Sequence, residues 1–129
     1  MTTTKRTILG LDLGRQSDYS ALALVKEGGT DKKGRTKWAI PHLQRWPLGT
    51  SYVDIVEDVT KLVKDLDRPA LIIDRTGCGV PVFDLFKSIR PAVAALVGAC
   101  ITGGAQANQP TFEFLSPMAR SMPWTGNGV

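Results

Sequence analysis

The chain has 129 residues, 43% of them hydrophobic and 22% charged, and its 16 basic and 12 acidic side chains give a net charge of +4. That length suits one domain with a core of its own, and the composition excludes a disordered or fibrous chain. No apolar run approaches the roughly 18–20 residues of a membrane span. The first six residues, Met1 to Arg6, lack the apolar stretch of a signal peptide, so a cytoplasmic protein without a membrane partner is expected. Cys78 and Cys100 stand 22 positions apart with a single histidine, His42, which excludes a Cys/His zinc site within one copy. The cysteines read as small core or loop residues, and His42 as a surface residue.

Taken in order, residues 7–13 read as a strand, with Ile8 and Asp12 on one face and Leu9, Leu11 and Leu13 on the other. Apolar residues on both faces point to a central strand covered on both sides. A polar turn over Gly14–Asp18 leads to a second strand over Tyr19–Lys26, and the short connection predicts a hairpin. Residues 27–35 carry three glycines and many charges and read as a loop. Lys32, Lys33, Arg35 and Lys37 cluster there, either as a solvated hairpin tip or as a patch that contacts phosphates. A third strand over Thr36–Trp46 contains Pro41, which marks an edge strand or a bulge.

The period then changes. Tyr52, Val53, Val56, Val59, Leu62, Val63 and Leu66 recur at helical spacing, which predicts an amphipathic helix over residues 50–66 with Thr50 or Ser51 as its N-cap. A fourth strand is predicted over Ala70–Arg75. A second helix should start near Pro81, with Val82, Leu85, Phe86 and Ile89 as its buried stripe. A fifth strand follows over Ala92–Ile101, and residues 105–129 read as irregular. The order β-β-β-α-β-α-β is that of an α/β fold with a mixed five-stranded sheet and helices on its faces. A right-handed crossover brings the fourth strand back parallel to the first.

Two stretches carry chemistry. Ile8-Leu9-Gly10-Leu11-Asp12-Leu13-Gly14 and Leu71-Ile72-Ile73-Asp74-Arg75-Thr76-Gly77 each set an aspartate at the end of an apolar strand, just ahead of a glycine. Aspartate is a poor strand former, and a buried unpaired charge is costly. With the two strands adjacent, Asp12 and Asp74 lie together at the carboxyl end of the sheet, where α/β folds bind ligands. An oxygen-only donor pair suits Mg²⁺ or Mn²⁺. The bland alternatives are an Asp12 bonded to turn amides and an Asp74 in a salt bridge with Arg15 or Arg75. Arg15 and Arg75, next to the two motifs, join the basic cluster as candidates for nucleic-acid contact.

This topology with these two aspartates resembles the ribonuclease H-like superfamily and, within it, the nuclease domain of phage terminase large subunits. The resemblance is carried by the Ile8–Gly14 stretch followed by Ser17-Asp18-Tyr19-Ser20-Ala21. It also rests on Leu71–Gly77 followed by Cys78-Gly79-Val80-Pro81-Val82, and on Ile101-Thr102-Gly103-Gly104, and covers about residues 6–104. It implies a nuclease domain over residues 1–104 in which Asp12 and Asp74 are catalytic and hold Mg²⁺ or Mn²⁺. The substrate would be double-stranded DNA, cut during packaging in the cytoplasm of a bacterial host by a protein encoded on a phage or prophage.

Terminase large subunits join such a nuclease to a packaging ATPase, and this sequence has no GxxxxGK[ST] phosphate loop. A separate ATPase or other phage packaging proteins are therefore the expected partners. The family also supplies a third aspartate from a helix near the C-terminus. Here Glu113 is the one acid past residue 104, which reads as a truncated domain. Two rival readings remain: a non-catalytic nucleic-acid-binding or phage structural remnant of the same fold, and an actin-like or sugar-kinase-like ATP-binding lobe.

Overall fold

The computed structural model describes residues 5–15, 17–76, 79–89 and 91–100, together with the backbone of 111–115. In chain order the elements are β1 (Thr7–Asp12), β2 (Ala21–Thr30), β3 (Thr36–Arg45), α1 (Tyr52–Lys64), β4 (Ala70–Asp74), α2 (Gly79–Ile89), β5 (Ala95–Cys100) and β6 (Thr111–Leu115). They form one mixed sheet in the order β3-β2-β1-β4-β5-β6. β1 is antiparallel to β2 and parallel to β4, and β4 is parallel to β5. The fold is α/β and compatible with a ribonuclease H-like arrangement, with β1 and β4 neighbours as the sequence predicts.

Parallel strands need crossovers, and both helices supply one. The steps β3-α1-β4 and β4-α2-β5 move in the same direction across the sheet, so the right-handed rule puts α1 and α2 on the same face. Burial agrees. Leu9, Leu11, Leu22, Leu24, Leu71, Ile73 and Leu96 are buried, and they form a single core with Ile55, Val59 and Val63 of α1 and Val82, Phe83 and Phe86 of α2. Ile8, Gly10, Ala23, Val25, Ile72 and Val97 alternate with these leucines and occupy the opposite face, where they are half-buried. Among the described residues the double cover expected for β1 is thus complete on the helix side only.

Local chemistry sets the boundaries of α1. The Ser51 hydroxyl accepts the Asp54 N–H at 3.1 Å, Asp54 lies in the first turn, and Lys61 and Lys64 lie in the last. Ser51→Ala is expected to cost about 1 kcal/mol, read as a lower urea midpoint at unchanged slope. Trp46, just past β3, is buried and donates its indole N–H to Asp58 at 2.8 Å, which pins the strand's end to the middle of α1.

Four expectations are corrected. β2 runs on through Gly28 and Gly29 to Thr30, where glycines and charges suggested a loop. The ladder with β3 persists there, past register shifts, because the Arg6 backbone and side chain hold Glu27 in line, with Nε 2.9 Å from Oε2. This bond keeps the Glu27 carboxyl below its ordinary pKa, and the Arg35 backbone N–H does the same for Asp31 at the hairpin tip. In α2 the buried stripe is centred on Phe83 and Phe86, while Ile89 remains 43% exposed; placement against the sheet, not helical spacing alone, decides which side faces inward. β5 starts at Ala95 rather than Ala92. Its neighbour β4 begins at Ala70, and the ladder opens with Ala70 opposite Ala95. Finally, residues 111–115, expected to be irregular, form β6 antiparallel to β5. Phe112 and Phe114 alternate with Thr111 and Glu113, but so short a run between Pro110 and Pro117 is a weak local signal, and pairing with an existing edge provides what it lacks. The rest of the 105–129 segment lies outside the described residues.

Candidate metal centre

The register of β1 on β4 decides where the two aspartates lie. Leu9 pairs with Leu71 and Leu11 with Ile73. One step further, Asp12 stands beside Asp74, at the carboxyl ends of both strands. Neighbouring strands place the two backbones roughly 5 Å apart. Leu11 and Ile73 face the helices, so the pleat turns Asp12 and Asp74 together to the other face. Asp12 is exposed and Asp74 half-buried.

Asp74 makes a local bond: its Oδ1 accepts the Thr76 backbone N–H at 2.8 Å. That Asx turn was the bland expectation for Asp12, and it falls on Asp74 instead. It fixes the carboxylate's orientation and leaves Oδ2 for another partner. Two like charges this close favour a cation between them. The donor set fits Mg²⁺ or Mn²⁺, since Mg²⁺ is commonly held by one or two carboxylates, with waters and substrate phosphates filling the octahedron. Among the described residues no group of three or more His, Cys, Asp or Glu is gathered to hold a metal. Glu113 on β6 is opposite Gly98, in the cross-strand row of Ile73 and Leu11 rather than that of the aspartates.

The loop that follows β1 is held by its own polar groups. The Gly14 N–H donates to Ser20 Oγ at 3.0 Å, the Tyr52 hydroxyl donates to the Gly14 carbonyl at 2.8 Å, and the Asp18 N–H donates to the Arg15 carbonyl at 2.8 Å. Between this loop and the start of α1 is a pocket of about 310 Å³, lined among others by Arg15, Asp18, Ser20, Thr50 and Ser51. Arg15 and Asp18 line this pocket, and Asp12 and Asp74 do not.

The other basic candidates are not gathered around the aspartates. β2 is antiparallel to β1, with Ala21 opposite Asp12, so the hairpin tip carrying Lys32, Lys33, Arg35 and Lys37 is at the far end of the sheet. Nine residue steps of strand run from Ala21 to Thr30, roughly 30 Å. Arg35 is also tied to Asp31 at 2.8 Å. Arg75 is half-buried, with its guanidinium 5.1 Å from the Phe83 ring centroid. A Cβ on Gly98 would run into the Arg75 Cδ, so the missing side chain on β5 makes the room that Arg75 fills.

Arg45, the last residue of β3, was not singled out in the sequence. It pairs with Ala21, and Ala21 pairs with Asp12, so Arg45, Ala21, Asp12 and Asp74 form one cross-strand row on one face. Its guanidinium is 3.9 Å from the centroid of the Tyr19 ring. Counting the hairpin register back from Asp12 would have found it, but the bulges in the β2–β3 ladder hide that count from the sequence.

No protein-family model, curated protein or solved structure matches the chain. Among the described residues no helix is long and apolar enough to cross a membrane.

Proposed function

We propose that this chain is a divalent-metal-dependent endonuclease domain of the ribonuclease H-like kind, similar to the nuclease of phage terminase large subunits. The supporting observation is the register that puts Asp12 beside Asp74 on one face at the carboxyl ends of two parallel strands. In this reading both carboxylates hold Mg²⁺ or Mn²⁺. When bound, the metal supplies a water activated for attack on a phosphodiester and a counter-charge for the leaving oxygen. The protein's own contribution is to hold the two carboxylates in place: Asp12 at the end of a central strand, and Asp74 locked by its bond to the Thr76 N–H. The substrate is double-stranded DNA. The setting is packaging in the cytoplasm of a bacterial host, with a separate ATPase or other phage packaging proteins as partners.

Supercoiled plasmid incubated with Mn²⁺ is expected to be nicked, and Asp74→Asn should stop the nicking. A protein that binds Mn²⁺ yet leaves plasmid intact at every ratio tested would overturn the catalytic assignment. One observation favours a second reading, a nucleic-acid-binding module that keeps the fold without cutting: Glu113 is outside the aspartates' row, so among the described residues the register brings no third carboxylate to them. DNA retained without cleavage in the same assay is its signature. Tight ATP binding without any effect on DNA would point instead to the actin-like or sugar-kinase-like lobe.

A further inference from the structure

We propose that Arg45, braced by Tyr19, is a substrate-binding residue that grips the nucleic-acid backbone beside the Asp12–Asp74 pair. This rests on the nuclease reading and adds to it the side from which the strand enters. The first argument is position. Arg45, Ala21, Asp12 and Asp74 share one row, and Ala21, the residue between the cation and the carboxylates, carries only a methyl group. A phosphodiester chain laid along this row meets no large side chain between Arg45 and Asp12. Two strand spacings put the Arg45 backbone roughly 10 Å from that of Asp12. That separation suits a neighbouring phosphate rather than the one at the metal.

The second argument is charge. Two carboxylates repel a polyanion, and a metal between them cancels that repulsion only locally. A fixed cation in the same row adds attraction where the next phosphate lies, and a guanidinium presents the planar fork that matches phosphate oxygens. The third is availability. Arg6 is also stacked on an aromatic ring, that of Trp38 at 5.0 Å, but its guanidinium is bonded to Glu27. Arg35 is bonded to Asp31, and Arg75 is half-buried over Phe83. Arg45 is exposed, and among the described residues no carboxylate forms an ion pair with it. The Tyr19 ring, itself 44% exposed, restricts the side chain without neutralising it.

The test is binding of a short fluorescein-labelled DNA duplex in EDTA over a series of salt concentrations, followed by nicking kinetics in Mn²⁺. Arg45→Ala should weaken binding about 5- to 20-fold and make the salt slope shallower by about 0.9, the loss of one phosphate contact. In nicking, the effect should appear in KM, with kcat near the wild-type value. Arg45→Lys should restore the salt slope but only part of the affinity, since it keeps the charge and loses the fork. Tyr19→Ala should cost about 2- to 5-fold, and Tyr19→Phe should behave as wild type. Lys61→Ala, in the last turn of α1 and so on the opposite face of the sheet, is the control and should change little.

An Arg45→Ala protein with wild-type melting, affinity and salt slope would overturn the inference while leaving Mn²⁺ binding and nicking to stand. Duplex binding that depends on Arg45, in a protein that neither binds Mn²⁺ nor nicks, would overturn the metal reading and leave the grip in place. A wild-type protein that binds no duplex at all would overturn both.

Discussion

Asp12→Asn is expected to abolish Mn²⁺ binding while leaving the metal-free protein at least as stable as the wild type. The two halves of that result have separate causes. In the proposed site a metal would be held by oxygen charge, and an amide oxygen in place of a carboxylate would remove half the anionic donors of the pair. Loss of a mere supporting partner around a metal site commonly costs about 10- to 100-fold in affinity, so loss of a ligand should cost at least that. Without metal, Asp12 and Asp74 face each other on adjacent strands, and their repulsion in water is under about 1 kcal/mol. Asparagine relieves it. Added Mn²⁺ should therefore raise the melting temperature of the wild type by mass action and leave the variant unmoved. Titration of both proteins with Mn²⁺, by calorimetry or by the electron paramagnetic resonance of the free ion, measures the first half, and thermal melts with and without Mn²⁺ measure the second. Equal Mn²⁺ affinity in the two proteins would remove Asp12 from the site.

The second large effect concerns packing. Gly14→Ala should destabilise the domain by about 3 kcal/mol, because a Cβ there would meet the carbonyl oxygens of Asp18 and Tyr19, the latter at 2.6 Å. These are backbone atoms of a closed turn and cannot swing aside as a side chain could. Moving them strains the Gly14 N–H bond to Ser20 Oγ and the Tyr52 bond to the Gly14 carbonyl, which together join the loop to β1 and α1. For a domain of this size the melting temperature should fall by roughly 10–15 °C. Gly10→Ala is the matched control: nothing lies within 4 Å of its would-be Cβ, and a methyl group in a strand interior is favourable. Similar melting temperatures for the two variants would mean that the loop is not closed as described.

Much of the fold is legible in the residues. The apolar runs of β1 and β4, the helical spacing of Val56, Val59 and Val63, and the capping serine are local patterns, and each element appears where its pattern lies. Right-handed crossovers then leave few ways to join the pieces. What was misread depends on partners distant in sequence. β2 extends through two glycines because β3 and Arg6 pair with it. β6 forms because β5 offers an edge. Phe83 is buried in place of Ile89 because of how α2 meets the sheet.

The candidate site divides in the same way. By itself the sequence determined the pair of apolar strands ending in Asp12 and Asp74, since an aspartate closing such a run is a local anomaly that composition and period expose. It also set aside a Cys/His zinc site within one copy, because it holds one histidine and two separated cysteines. Only the tertiary structure decided that the two aspartates share a row, that the basic hairpin tip is at the other end of the sheet, and that Arg45 is in line with the carboxylates. Only it separates Gly14, whose hydrogen is forced by a turn folding back on it, from Gly10, whose hydrogen is not. The physical reason is common to all four. Register, face and close approach are relations between backbones brought together across long stretches of chain, and periodicity within one stretch carries no record of them.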